Sequence, residues 1–331
     1  MWFETLTGFP EESPQQVRSN LTITGTVLNS RINGKSWVYG KLETPSLADL
    51  RQRVNSTSYN RATISLREVV ADVQELHADA ANANSLFQVA SQFNLLEMVS
   101  PSVTPEQGIG IYENDRTQGP ACAIATGPGT IYRNYFINVN GQQGQSATNQ
   151  IDCLADIGLA LGNSENRLWE MRNGYALASE PGLVEISDRL QAATDNELDQ
   201  LRQLLRIGLQ WNTQVTLSDS QHLVSQAYCS ALPVAYSPHP RNLWAEFARL
   251  ILEASYEATI CAGILNSVST GNKRVFLTLL GGGAFGNEPD WIFDAIKRAL
   301  QNYRKADLEV IVVSRGSNNR YVQQLIKDCS A

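Results

Sequence analysis

The chain has 331 residues, of which 43% are hydrophobic and 18% charged, a composition typical of a globular protein and not of a disordered or fibrous one. This length accommodates one large domain or two of moderate size. The 26 Lys and Arg residues are outnumbered by 33 Asp and Glu residues, which gives a formal net charge of −7. This charge excludes the general positive field that non-specific nucleic-acid binding needs.

The apolar stretches are too short for a membrane span. The longest, Val275 to Leu280, runs directly into glycines, whereas a spanning helix needs about 20 apolar residues. The amino terminus shows neither a basic leader nor a continuous apolar core, so we expect no secretory signal.

The five cysteines and three histidines show no metal-binding or disulfide pattern. No CxxC pair is present, and we expect buried thiols in a cytoplasmic protein that binds neither membrane nor nucleic acid. The histidines lack the spacing of metal ligands, so we expect neither a metal nor a cofactor.

The opening segment predicts a small β element. Residues 21–43 combine Thr- and Val-rich runs with the turn dipeptide Asn33-Gly34, which is typical of a hairpin, and a short helix follows at 47–54. We expect residues 1–60 to form a hairpin extension without chemistry of its own. Residues 61–331 are then the main domain.

From residue 61 the pattern alternates between strands and helices, which predicts an α/β fold with a mixed, mostly parallel sheet between helices. A less regular region, residues 130–220, is interpreted as a helical insertion within this domain. Two nearly all-apolar runs suit central strands that are covered on both faces. The candidate strands are 62–70, 86–93, 224–235, 275–280 and 308–313.

Helix signals in the second half indicate core packing. Apolar residues recur every three or four positions from Trp244 to Cys261, which predicts a helix with one buried face. A capping box at 194–197 precedes a Leu-rich helix, and Asn287 with Pro289 can begin another. We assign these helices no function.

The most informative segment follows an apolar strand and reads Gly281-Gly282-Gly283-Ala284-Phe285-Gly286-Asn287. Glycines and the first turn of a helix leave backbone amides bare, and convergent amides can hold a phosphate or diphosphate. The alternative is a tight strand-to-helix turn. The run also matches G-x-G-x-x-G, but no acidic residue follows the next strand, and Glu288 and Asp290 would repel an anion at the helix tip.

Polar residues also interrupt the apolar strand that begins at residue 86. Gln92, Asn94 and Glu97 lie at or just beyond its carboxyl end, the edge where open α/β sheets bind ligands. Because a buried amide or carboxyl is costly without a partner, these side chains need internal hydrogen bonds or a polar ligand. The position favours a ligand.

A third segment, residues 105–120, is a glycine-containing loop in which two carboxylates, Glu113 and Asp115, lie two residues apart. Carboxylates above a sheet can activate water or protonate a leaving group if burial tunes their pKa. The alternative is that both cap the next helix and pair with Arg116, and composition alone favours that alternative.

Together, these segments resemble the macrodomain family, the ADP-ribose-binding α/β fold that includes ADP-ribosyl hydrolases and poly-ADP-ribose glycohydrolases. The matching blocks are Val69 to Val73, Phe87 to Asn94, and Leu277 to Gly286. The resemblance implies a macrodomain-like fold that binds ADP-ribose, with Asp72 at the adenine, Gln92 and Asn94 near the distal ribose, and residues 281–287 around the diphosphate.

The blocks Phe87 to Glu97, Thr117 to Ala125, Cys229 to Tyr236 and the triple glycine resemble a divergent branch that includes a Legionella effector that removes ADP-ribose from ubiquitin. This resemblance implies hydrolysis of the glycosidic bond between ADP-ribose and a protein side chain, with ubiquitin as a candidate substrate.

The roles of the acidic residues stay open at this point. Glu97, Glu113 and Asp115 form the candidate acid/base set, in no fixed order. One alternative function is a reader that binds ADP-ribose without cleaving it. Another, which rests only on G-x-G-x-x-G, is an NAD(P)-dependent Rossmann-type oxidoreductase.

Overall fold

The computed structural model of the protein describes residues 1–330. Its α-helices are α1 (Trp2–Thr7), α2 (Pro14–Asn20), α3 (Leu47–Ser56), α4 (Val73–Ala78), α5 (Gln118–Ala125), α6 (Gly127–Tyr135), α7 (Ala155–Leu161), α8 (Glu180–Ala192), α9 (Asp195–Leu204), α10 (Arg241–Thr270), α11 (Pro289–Asn302) and α12 (Arg320–Ser330). Its strands are β1 (Leu21–Thr24), β2 (Val27–Ser30), β3 (Ser36–Val38), β4 (Lys41–Glu43), β5 (Ser65–Val70), β6 (Leu86–Ala90), β7 (Asn138–Val139), β8 (Gln142–Gln143), β9 (Trp169–Arg172), β10 (Tyr175–Ala178), β11 (Gly208–Gln214), β12 (Leu223–Cys229), β13 (Arg274–Leu277) and β14 (Glu309–Ser314).

Seven strands form the main sheet, in the order β4-β11-β12-β6-β13-β14-β5. The strands from β12 to β5 in this order are parallel, and β11 runs antiparallel to both of its neighbours. The predicted α/β fold with a mixed, mostly parallel sheet is therefore confirmed. Within residues 1–330, no helix is both long enough and apolar enough to cross a membrane.

Helices cover both faces of this sheet. Successive residues of a strand point to opposite faces. On β6, the Phe87 ring stacks on His77 of α4 with 3.8 Å between ring centroids, whereas the next residue, Gln88, donates a hydrogen bond to Thr259 of α10. α4 and α10 thus lie on opposite faces, and the predicted apolar stripe from Trp244 to Cys261 is buried.

The amino-terminal segment is more divided than the predicted hairpin. The run 21–28 is broken by a turn at Gly25, whose φ is +59°, so β1, β2 and β3 form a small antiparallel sheet of their own. β4 leaves this sheet and pairs with β11 at the edge of the main sheet. Leu47, Leu50 and Val54 of α3 also join the main core. The division at residue 60 stays a prediction, although the segments on its two sides share a sheet and a core.

Several strands end earlier than the sequence pattern predicts. β12 ends at Cys229 and β13 at Leu277, where the predicted strands continue to residues 235 and 280. Within the proposed insertion, residues 169–178 form a hairpin, β9–β10, with a turn at Asn173-Gly174. The strand β11 was not predicted, and it brings the end of the proposed 130–220 insertion into the main sheet. The cysteines are unpaired, and Cys329 is exposed, contrary to the expectation of buried thiols throughout.

Candidate active site

A cleft opens at the edge of the sheet where the parallel strands end. The pairing of β6 with β13 ends at Phe87 and Phe276, so the two strands separate before they reach this edge. The side chain of Gln118 fills the gap, because its Oε1 accepts from the Ala90 amide at 2.9 Å and its Nε2 donates to the Gln88 carbonyl at 2.8 Å. Crevices beyond the carboxyl ends of parallel strands are the usual ligand sites of such sheets.

Two cavities make up this cleft. The first, of about 340 Å³, is lined by Asp72, Arg116 and Arg315 among others. The second, of about 200 Å³, lies beside the glycine loop, residues 281–286. The two cavities adjoin, because three residues line both of them: Gln118, Thr278 and Leu279. Sites for small ligands typically measure about 300–1,000 Å³.

The glycine loop uses some of its amides internally and leaves others bare. Gly281 and Gly286 have φ values of +75° and +69°, a conformation that glycine adopts readily. The amides of Gly282, Gly286 and Asn287 donate to carbonyls within the loop or just before it. Among the hydrogen bonds of residues 1–330, none satisfies the amides of Gly283, Ala284 and Phe285. The stretch 282–284 is exposed, so these amides are available to an anion.

The sequence pattern predicted that Asn287 caps the following helix, and this prediction is wrong. Its Nδ2 donates to the Leu232 carbonyl at 2.8 Å, and the cap position belongs to Glu288, without a side-chain hydrogen bond. Asn287 is buried and lines neither cavity. It therefore fastens the glycine loop to the segment after β12 and lies outside the cleft.

The segment after β6 places only some of its polar residues in the cleft. Gln92 lines the second cavity, while its Oε1 accepts from the Met98 amide at 2.8 Å. Asn94 is fully buried and lines neither cavity, because its Nδ2 donates to Gln150 and its Oδ1 accepts from the Leu96 amide. Internal hydrogen bonds, the alternative raised from the sequence, therefore account for Asn94.

Glu97 lies at the floor of the second cavity. Nη2 of Arg133 contacts both carboxylate oxygens of Glu97, at 3.0 and 2.9 Å. Burial raises the pKa of Glu97 to about 7, and the charge of Arg133 opposes that rise. Arg133 was not singled out in the sequence, although a charged residue amid the mostly apolar and uncharged residues 120–136 could have indicated a buried ion pair.

The two candidate carboxylates of the acidic loop, residues 105–117, have different surroundings. Asp115 lines the second cavity, and its Oδ1 accepts from the Thr117 amide at 2.8 Å. Glu113 lines neither cavity and instead accepts from the Trp2 amide at 3.0 Å. Within residues 1–330, neither carboxylate pairs with Arg116, whose side chain lines the first cavity. Asp115 is thus the carboxylate of this loop that faces the cleft.

Asp72 and Phe285 mark the two ends of the cleft. Asp72 lines the first cavity and caps α4 by accepting from the Gln74 amide at 2.7 Å. Phe285 lines the second cavity with Tyr175 and Tyr236, at ring-centroid distances of 5.3 and 5.5 Å. Neither tyrosine was predicted as a site residue: Tyr236 was named only as the end of a block of the family resemblance, and no local pattern marks Tyr175.

The cleft offers bare amides, a carboxylate at each end and an aromatic wall, which together suit an anionic ligand with a planar or sugar-like group. Cationic side chains lie at the Asp72 end, where Arg116 and Arg315 line the first cavity. No group of three or more His, Cys, Asp or Glu residues within 1–330 is arranged to hold a metal ion.

Comparison with known proteins identifies similar solved structures but no similar sequences. Neither a protein-family model nor a curated protein matches the sequence. A poly(ADP-ribose) glycohydrolase from Deinococcus radiodurans in complex with ADP-ribose is 11% identical, with a TM-score of 0.48 over 87% of this chain and 94% of that chain. The enzyme from Thermomonospora curvata bound to the inhibitor ADP-HPD is 9% identical, with a TM-score of 0.46 over 98% of this chain and 97% of that chain. Because one fold carries many activities, the residues of the cleft decide the function.

Proposed function

We propose that this protein is an ADP-ribosyl hydrolase that cleaves the glycosidic bond between ADP-ribose and a modified protein side chain. One observation carries the proposal: a single cleft joins Asp72, the bare amides of residues 283–285 and the carboxylates of Glu97 and Asp115. An extended ligand with a base, a diphosphate and a terminal ribose presents the matching chemistry.

The nucleotide end of the ligand would occupy the first cavity. Asp72 would accept a hydrogen bond from the adenine amine, since a carboxylate is an acceptor only. The bare amides of the glycine loop, beside the second cavity, would bind the diphosphate, and Arg116 and Arg315 add positive charge in the first cavity. Phe285 would pack against the distal ribose.

The reaction would take place in the second cavity. Glycosidic bonds break through an oxocarbenium-like transition state, which nearby carboxylates stabilise. Asp115 would direct a water molecule to the anomeric carbon as the bond to the protein side chain breaks, which releases ADP-ribose and restores the side chain. Glu97, fixed by Arg133, would supply the second carboxylate.

Ubiquitin is the candidate substrate that the sequence resemblance implies. A cytoplasmic location agrees with the free cysteines of residues 1–330.

A reader that binds ADP-ribose without cleaving it is the second candidate. Glu97 is paired with Arg133, whereas Asp115 has no ion-pair partner within residues 1–330. Only one carboxylate of the second cavity is therefore free of an ion pair, which favours a reader.

Titration calorimetry with ADP-ribose and a release assay on ADP-ribosylated ubiquitin distinguish the two functions. We expect Asp115→Asn to lower the turnover by about a hundredfold or more, the usual contribution of acid–base catalysis, while ADP-ribose binds within a few-fold of wild type. Asp188→Asn, on the exposed face of α8, is the matched control. Binding without release in the wild type would identify a reader, and absence of binding would overturn both functions.

A further inference from the structure

The amino-terminal segment contacts the acidic loop although it is distant in sequence. Residues 1–12, here called the strap, lie against residues 109–113. Glu11 accepts hydrogen bonds from the amides of Ile109 and Gly110, at 3.1 and 2.6 Å. Trp2 adds two contacts, since its Nε1 donates to the Ile109 carbonyl and its amide donates to Glu113.

The acidic loop is shaped to receive the Glu11 carboxylate. A Cβ atom on Gly108 would lie 2.5 Å from Oε2 of Glu11, and a Cβ atom on Gly110 would lie 2.8 Å from it. Gly108 also has a φ of +91°, which side chains disfavour. Any larger residue at these two positions would push the carboxylate away from the amides it binds.

Glu11 is held by neutral donors alone. The hydroxyl of Tyr135 in α6 donates to the same carboxylate, and Glu11 forms no ion pair within residues 1–330. Burial raises the pKa of Glu11, against the effect of these hydrogen bonds. A partly desolvated carboxylate that is satisfied by two loop amides and one phenol joins the strap, the acidic loop and α6 at one point.

The anchored loop leads directly to both carboxylates of the second cavity. After Gly110 it forms a 3₁₀ turn, and the Asp115 amide donates to the Tyr112 carbonyl at 3.1 Å. The Tyr112 hydroxyl accepts from the Glu97 amide at 3.0 Å. The buried Tyr112 therefore links the loop to the backbone of both Asp115 and Glu97.

We infer that Glu11 is a positioning residue of the active site, which holds the acidic loop so that Asp115 and Glu97 face the second cavity. This inference rests on the proposed hydrolase function. It gives the amino-terminal extension, for which the sequence indicated no chemistry, a direct part in turnover. Displacement of a reacting group by about 1 Å is enough to cost about a hundredfold in rate.

The test compares Glu11→Ala, Glu11→Gln and the control Glu12→Ala in the full-length chain. Glu12 is the exposed neighbour, whose side chain accepts only from Gln16. Steady-state release of ADP-ribose gives kcat and KM, calorimetry gives the affinity for ADP-ribose, and hydrogen exchange follows the amides of residues 109 and 110.

For Glu11→Ala we expect kcat to fall by about tenfold to a hundredfold, with the affinity for ADP-ribose within about threefold of wild type. Exchange at residues 109 and 110 should accelerate, while exchange in β6 and β13 should not. Glu11→Gln keeps one acceptor oxygen and should recover part of kcat, and Glu12→Ala should match wild type.

The outcomes distinguish failure of the proposed role of Glu11 from failure of the proposed hydrolase activity. If the wild type is active and Glu11→Ala has the same kcat, the role of Glu11 is overturned. Faster exchange at residues 109 and 110 without a loss of kcat overturns it as well. If Glu11→Ala does not fold, the same criteria apply to Glu11→Gln. A wild type that releases no ADP-ribose overturns the proposed hydrolase, and the catalytic role of Glu11 with it.

Discussion

At the scale of single residues, the ion pair beneath the cleft is the most constrained feature of the molecule. The Arg133 side chain is fully buried, and its donors all have acceptors: the carboxylate of Glu97, the Leu95 carbonyl, and the hydroxyls of Thr130 and Tyr228. Such a pair tolerates poorly the loss of one partner, because the other charge then stays buried without compensation.

We therefore expect Glu97→Gln to lower the free energy of unfolding by about 3–5 kcal/mol, because it leaves the Arg133 charge unpaired. Urea unfolding of the purified variant measures this loss. Glu185→Gln is the matched control, since Glu185 also accepts two hydrogen bonds from an arginine, Arg167, but at an exposed site where ion pairs contribute little. Equal stability of the two variants would contradict the prediction.

At the scale of elements, the connection from β13 to α11 determines the shape of the cleft. Tyr256 of α10 fixes the end of β13, because its hydroxyl donates to the Thr278 carbonyl and accepts from the Leu280 amide, each at 2.8 Å. The chain then turns at Gly281, whose Cβ position would lie 2.5 Å from the Ala231 side chain. The bare amides at 283–285 depend on this tight turn.

We expect Gly281→Ala to lower the free energy of unfolding by about 1–3 kcal/mol, because alanine is strained at a φ of +75°. The distorted loop should also bind ADP-ribose at least about tenfold more weakly, a loss of ~1.4 kcal/mol.

Gly283→Ala is the stability control for this loop, since a Cβ atom there meets no atom of residues 1–330 within 4 Å other than its own chain neighbours. Its free energy of unfolding should stay within about 0.5 kcal/mol of wild type. Urea unfolding and calorimetry measure both variants. Wild-type stability and affinity in Gly281→Ala would show that the turn is not needed for the site.

At the scale of the whole molecule, the amino-terminal segment and the main sheet form one structure. β4 pairs with β11, and α3 packs against α10. Arg51 of α3 also binds Asp199 of α9 and the buried Glu257 of α10. These contacts join the first 60 residues to both the proposed insertion and the core.

We expect a fragment of residues 61–331 not to unfold cooperatively. It lacks the edge strand β4 and the buried side chains of Leu47, Leu50 and Val54, each of which contributes about 1.5–3 kcal/mol. Such a loss is comparable to the total stability of a typical domain, about 5–15 kcal/mol. Circular dichroism during urea titration measures the transition.

Two variants of the intact chain serve as controls for this fragment. Leu50→Ala should cost about 3 kcal/mol, whereas Leu159→Ala, at a side chain that is 85% exposed, should cost little. A fragment with a cooperative transition near that of the full chain would establish residue 60 as a domain boundary.

Patterns among neighbouring residues were enough to predict strands at β6, β13 and β14, the long helix and the position of the glycine loop. Apolar runs at β6, β13 and β14, the stripe of α10 and the glycines after β13 each arise from residues close together in the chain. Their physical causes, hydrophobic periodicity and the conformational freedom of glycine, act over a few residues, and a single sequence therefore shows them.

Which polar side chains share the cleft depends on contacts between segments that are distant in sequence. Asp115 lines the second cavity, whereas Glu113, two residues earlier, binds the Trp2 amide. Likewise, Gln92 lines the second cavity, whereas Asn94 donates a hydrogen bond to Gln150. The partner of a side chain in a loop depends on segments that are remote in sequence, such as Glu11, which lies 98 residues before Ile109. Hydrogen bonds and ion pairs depend on distance in space, and local sequence patterns do not encode that distance.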